Sequence, residues 1–196
     1  MKTAFVDVDT QFDFILPAGA LYAPGAETIL PAVAGLNQYA AANSIPVIST
    51  MDAQSEDDPE FCHWHPHCVI GTISQNKPAS TLLDKRVVVP SSRVKTDLAG
   101  AQQIMIEKQH YDAFTNENLE PILDELGAER FVVYGLVTDV CVRAVATGLL
   151  RRAKRVELVE DAVRAINDQA ARTFLEQFQA QGGVVTTAAA VMSLSS

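Results

Sequence analysis

The chain has 196 residues, 48% of them hydrophobic and 20% charged, which fits a single globular domain, residues 1–196, with a sizeable core. Its formal net charge of −9, with no basic patch, argues against nucleic acid and anionic membranes as partners. No apolar run reaches the ~18 residues of a membrane span, and the start MKTAFVDVDTQFDF acquires acids where a signal peptide needs an apolar core. Cys62, Cys68 and Cys141 make an odd set, so the expectation is a reducing cytoplasm without a disulfide framework.

Thr3–Val8 reads as a first central strand that ends at Asp9. A loop rich in turn residues follows, through Pro17, Gly19, Pro24 and Gly25. Ile29, Leu30, Val33, Leu36 and Ala40 recur at helical spacing, so 26–42 is predicted as a helix. Ile45–Met51 reads as a second strand, ending at Asp52. A helix between two strands makes a βαβ unit and hence a parallel sheet. Residues 53–83 show no period but hold three of the four histidines and the only tryptophan. A loop that long inside a compact domain is usually functional or disordered, and its Trp, Phe and His content favours function.

Residues 86–89 and 103–107 are short strand candidates, with Lys108 just after the second. Residues 118–126 read as a helix. Phe131–Tyr134 is an apolar run fit for a buried strand, closed by Gly135. Thr138 and Asp139 are good cap residues for a helix that carries Cys141 in its first turn. Residues 155–159 form a further strand, ending near Glu160 and Asp161. Residues 166–181 read as a helix with Asn167 as a cap candidate, Gly182-Gly183 stops it, and Val184–Thr187 makes the last strand.

The segment around Cys141 has chemical consequences. A thiol in the first turn of a helix faces N–H groups with no internal partner, which lower its pKa and can hold an oxyanion. A lone Cys among apolar residues is more often a small buried hydrophobe, so a reactive one also needs a base and a cation nearby. The chain offers them. Asp9, Asp52, Lys108 and Cys141 all fall just after strand C-termini, the edge where open α/β sheets bind ligands. An acid, a cation and a thiol at one edge are what a cysteine hydrolase needs.

Three motifs, in this order, resemble the isochorismatase-like cysteine hydrolases, nicotinamidases most of all. They are Val8-Asp9-Thr10-Gln11-Phe12-Asp13-Phe14, then Lys108 with Tyr111-Asp112-Ala113-Phe114, then Gly135-Leu136-Val137-Thr138-Asp139-Val140-Cys141-Val142. The resemblance spans nearly the whole chain. It implies a three-layer α/β/α fold with a mostly parallel central sheet, and a catalytic triad of Asp9, Lys108 and Cys141. It also implies a cis peptide at Leu136–Val137, with the N–H groups of Val137 and Cys141 as oxyanion donors. A divalent metal (zinc, iron or manganese) on Asp52, Glu60 and His67 is the further implication. Here the chain departs from the family, because Gln54 stands where the first histidine ligand belongs. Glutamine is a neutral oxygen donor and a much poorer zinc ligand than imidazole.

The activity implied is hydrolysis of a carboxamide to acid and ammonia through a thioester on Cys141. Phe14, Trp64 and Tyr111 are the candidates for a wall around a flat substrate. N-carbamoyl, ureido or other small amides on the same triad are the alternative that Gln54 keeps open. A non-catalytic binding protein on this fold is the alternative of another class. The partners expected are a small-molecule amide and further copies of the chain in a homo-oligomer.

Overall fold

In the computed structural model, which describes residues 1–153 and 155–193, seven strands form one parallel sheet. They are β1 (Thr3–Val8), β2 (Val47–Asp52), β3 (Arg86–Val89), β4 (Gln103–Lys108), β5 (Arg130–Leu136), β6 (Arg155–Arg164) and β7 (Val184–Thr186), in spatial order β3-β4-β2-β1-β5-β6-β7. The helices are α1 (Phe12–Ile15), α2 (Leu30–Ala42), α3 (Leu119–Leu126), α4 (Arg143–Leu150), α5 (Asp168–Ala180) and α6 (Ala188–Ser193). Strand side chains alternate between faces. Ala4, Val6 and Val8 of β1 pack with α3, α4 and α5 in one apolar core. Phe5, with Val132 and Tyr134 of β5, packs with α1, α2 and α6 in the other. The result is the three-layer arrangement, with the central strands buried on both sides. Among the described residues, no helix is long and apolar enough to cross a membrane.

Several elements differ from the sequence reading in extent. The predicted helix over 26–42 begins with a 3₁₀ turn, Ala26–Ile29, and becomes α2 only where Pro31 supplies a preset φ at its start. Gly135 does not end β5. It sits at φ +112° inside the strand, at a register shift between Val133 and Gly135. A Cβ there would fall within the backbone of Val8 on the neighbouring strand. Beyond that bulge β5 pairs again, Gly135 with Val163 and Leu136 with Arg164, so β6 runs on past Glu160 and Asp161. Asn167 caps α5 as read, its side chain accepting from the Ala170 N–H at 3.0 Å. Helix α1 lies in the segment that reads as a loop, and α6 follows the last predicted strand, where the sequence predicts no element.

Residues 53–83 hold no strand or α-helix, yet they are tied down. Gln54 bridges to Val69, and Pro59–Cys62 forms a 3₁₀ turn capped by Asp58. Buried Gln11 clamps this loop to the sheet. Its amide donates to the carbonyls of Asp52 (2.8 Å) and Gln75 (2.7 Å) and accepts from the Asp52 N–H (2.7 Å). Asp13 holds the far end, accepting from the N–H groups of Ala20 (3.0 Å) and Cys68 (2.6 Å). The Val8–Phe14 motif thus serves two purposes, presenting Asp9 and anchoring the loop opposite it.

Candidate active site

The three candidate catalytic residues meet at the carboxyl end of the sheet. Asp9 follows β1 and takes a left-handed conformation, φ +46°, that is uncommon for a residue with a side chain. Lys108 is the last residue of β4, and Asp52, the last of β2, is its register partner. Lys108 Nζ lies 3.0 Å from Asp9 Oδ2 and 3.9 Å from Cys141 Sγ, and it makes a tight ion pair with Asp52 Oδ1. The other Asp9 oxygen accepts from Thr50 Oγ1 at 2.7 Å. Lys108 and Asp9 are wholly buried, and Cys141 nearly so.

The segment that presents Cys141 differs from the expected capped helix. Residues Thr138–Val142 form a π turn that leads into α4. The Val142 N–H donates to the Val137 carbonyl at 3.1 Å. Neither Thr138 nor Asp139 caps it. Asp139 instead accepts from the backbone N–H groups of Ile166 and Asn167, both at 3.1 Å, and so fastens the segment before α5 to the nucleophile turn. The Leu136–Val137 peptide is cis, and Val137 and Cys141 both line the inner pocket.

Electrostatics correct one expectation. Burial pushes the Cys141 thiol well above its ordinary pKa, and the Asp9 and Asp52 carboxylates add to that rise against the pull of Lys108. The resting sulfur is a neutral thiol, and the thiolate predicted from the helix N-terminus is not its ground state. Burial also raises Asp9, with Asp52 adding to it and Lys108 opposing. For Asp52 burial raises the pKa as well, but Lys108 and His67 outweigh it and the net direction is down. Burial works against the Lys108 ammonium, yet Asp52 and Asp9 hold it charged, well above its ordinary range. Burial thus disfavours charge on both the thiol and the base, and the Lys108 ammonium is the fixed cation that opposes it at both.

Asp52, Glu60 and His67, the candidate metal ligands, do come together. His67 Nε2 lies 3.5 Å from Asp52 Oδ2 and 4.0 Å from Glu60 Oε2. His67 Nδ1 lies 2.8 Å from the His65 carbonyl, which makes it an N–H donor, and although burial works against the imidazolium, Asp52, that carbonyl and Glu60 outweigh it and raise the His67 pKa. The rest of the set does not fit a metal. Gln54 presents a donor to the cluster, its amide N–H reaching Glu60 Oε2 at 2.8 Å, while its Oε1 is buried with no partner. Asp52 Oδ1 is taken by Lys108. Among the described residues, no group of three or more His, Cys, Asp or Glu is disposed to hold a metal ion. Lys108 and the Gln54 amide thus occupy one oxygen each of Asp52 and Glu60 that a metal would need.

The inner pocket beside Cys141 offers about 30 Å³ of free space, and Phe14, Trp64 and Tyr111 all line it. That is room for one or two waters. It opens onto a cleft of about 920 Å³ that shares Glu60, Trp64, Tyr111 and Val140 with it. Two groups near the site were not singled out from sequence. One is Thr50, the hydrogen-bond donor to Asp9. The other is Lys77, whose ammonium lies 3.3 Å from buried Asp7 and donates to Thr10 at 3.0 Å, next to Asp9. Nothing in the spacing points to Lys77, because its loop has no period. Its partner Asp7 also accepts from Ser49 Oγ at 3.2 Å, and Ser49 from the Gln103 amide at 2.8 Å, so the link runs across three strands rather than along the sequence.

A parallel sheet with an acid, a lysine and a cysteine at its carboxyl edge defines a hydrolase-like α/β site, and comparison with known proteins places it. The isochorismatase domain model matches residues 3–190, and the chain belongs to that family. It is 26% identical over 163 residues to maleamate amidohydrolase of Pseudomonas putida, covering 83% of this chain and 72% of that protein. Among solved structures it resembles N-carbamoylsarcosine amidase from Thermoplasma acidophilum, at 28% identity and TM-score 0.77, over 96% of this chain and 97% of the other. It also resembles a nicotinamidase from Bacillus subtilis, at 26% identity and TM-score 0.82, over 95% and 99%. A pyrazinamidase from Pyrococcus horikoshii, solved in complex with zinc, matches at 26% identity and TM-score 0.79, again over 95% and 99%.

Proposed function

We propose that this protein is a cysteine-dependent amidohydrolase that converts a small carboxamide to its acid and ammonia without a metal. The observation that carries the reading is the buried Asp9–Lys108–Cys141 cluster, with Nζ 3.0 Å from the base and 3.9 Å from the sulfur. Asp9 takes the thiol proton as Cys141 Sγ attacks the carboxamide carbon. The fixed Lys108 ammonium compensates the charge that appears on sulfur as the S–H bond breaks. The N–H groups of Val137 and Cys141 donate to the carbonyl oxygen and stabilise the negative charge that develops there. Asp9 returns the proton to the departing nitrogen, the C–N bond breaks, and ammonia leaves an acyl thioester. Asp9 then takes a proton from water, which attacks the thioester and releases the acid and the thiol.

The closed Gln54–Glu60 pair supports the metal-free form of the reading. Nicotinamide is a second candidate substrate, favoured by the aromatic lining from Phe14, Trp64 and Tyr111. The test is ammonia release by purified protein in chelator from nicotinamide, maleamate and N-carbamoylsarcosine. Turnover of any of them that vanishes in Cys141→Ala and Asp9→Asn supports the reading. Turnover that needs added metal overturns the metal-free form.

A further inference from the structure

The inner pocket and the outer cleft divide the substrate between them. About 30 Å³ beside Cys141 admits a carboxamide group and little more. The body of the substrate must therefore lie in the 920 Å³ cleft. The acids of that cleft are already engaged. Asp58 accepts from the Glu60 N–H at 2.9 Å, and Glu60 accepts from Gln54. Its one guanidinium, Arg143, is exposed, and among the described residues it makes no ion pair or hydrogen bond. Val140 lines both spaces, and Arg143, the first residue of α4 and two positions after Cys141, lines the outer one. An unpaired guanidinium at the mouth of a cleft that leads to the nucleophile is built to receive a planar anion in two-point contact.

We propose that Arg143 is a specificity-determining residue that reads a carboxylate on the substrate, so that the preferred substrates are carboxamides whose acyl portion ends in a carboxylate. This rests on the amidohydrolase reading above. The carboxamide enters the inner pocket, the acyl chain passes between Trp64 and Tyr111, and the carboxylate meets Arg143 at the rim. The reaction is unchanged: the amide C–N bond breaks, ammonia leaves, and a dicarboxylate is the product. That product carries a second negative charge beside the Asp52 and Glu60 carboxylates, which favours its release.

The test compares succinamate, which has the carboxylate, with succinamide, in which a neutral amide replaces it. Wild-type protein is expected to prefer succinamate by about tenfold or more in kcat/KM, the scale of one charge-assisted contact. Arg143→Gln should collapse that ratio through KM, Arg143→Lys should keep much of it, and Arg143→Glu should invert it. Turnover of both amides without preference, or a ratio that Arg143→Gln leaves intact, overturns the inference and leaves the amidohydrolase reading standing. If neither amide turns over, that reading fails for this pair, and calorimetry of succinamate on Cys141→Ala decides the inference alone. Binding there that Arg143→Gln abolishes supports it, and no binding overturns it.

Discussion

Lys108 and Cys141 come within 3.9 Å of each other, ammonium to sulfur, although the two residues lie 33 positions apart on different elements. Among the described residues, Lys108 is also the only cation that pairs with both Asp9 and Asp52. Removing it leaves buried Asp9 without a cation and buried Asp52 with His67 alone. Lys108→Met is therefore expected to abolish ammonia release and to cost about 3–5 kcal/mol of stability, as breaking a buried ion pair does. Thermal unfolding and an amidase assay together check this, and a stable Lys108→Met protein would contradict it.

The pH dependence of activity follows from Asp9. Burial and neighbouring Asp52 raise its pKa, and the mechanism needs it ionised. Activity should fall as pH falls through that raised value, so the acid limb of kcat/KM lies above the ordinary aspartate value of 3.8. Thr50→Val removes the 2.7 Å hydrogen bond that favours the charged form. The acid limb should then move further up, while the basic limb stays in place. A pH profile of both proteins on one substrate is the check.

Gln54 decides the metal question. Its amide N–H occupies Glu60 Oε2, so chelation should leave wild-type activity unchanged. Gln54→His replaces that donor with an imidazole beside Asp52, Glu60 and His67. The variant is expected to bind zinc with at least a tenfold gain over wild type, read by metal analysis after dialysis. Equal zinc content in both proteins would count against this account of the site.

Away from the site, Glu157 on β6 receives the guanidinium of Arg130 through two 2.7 Å contacts and also pairs with Arg155. Burial works to raise its pKa, but the two arginines outweigh that and hold it below the ordinary 4.5. A depressed carboxyl contributes stability that is present above its unfolded pKa and lost as pH falls through its folded one. Glu157→Gln should thus lower stability by about 2 kcal/mol at neutral pH. The gap between variant and wild type should narrow below about pH 4. Denaturant titrations at pH 7 and at pH 3 measure it.

Much of this molecule is legible in its sequence because strand ends are. Asp9, Asp52, Lys108 and Cys141 each stand just past, or at, the close of an apolar run, and parallel topology brings such positions to one edge. Asn167 and its helix are local, and they read correctly for that reason. What stayed hidden depends on contacts across the chain. Glu160 and Asp161 look like the end of a strand, but pairing resumes past the Gly135 bulge and carries β6 on to Arg164. Thr138 and Asp139 have cap chemistry, yet Asp139 spends it on the distant N–H groups of Ile166 and Asn167. The position of Cys141 at a helix end reads as activating, whereas near-complete burial, which no local pattern reports, pushes its thiol pKa up. The Lys77–Asp7 pair joins a patternless loop to a central strand and has no local signature either.

The most direct test of the central claim is ammonia release in chelator from a panel of small carboxamides, wild type beside Cys141→Ala. Metal-free turnover by wild type, with loss of at least a thousandfold in the variant, is the predicted result. Turnover in Cys141→Ala close to that of wild type would contradict it.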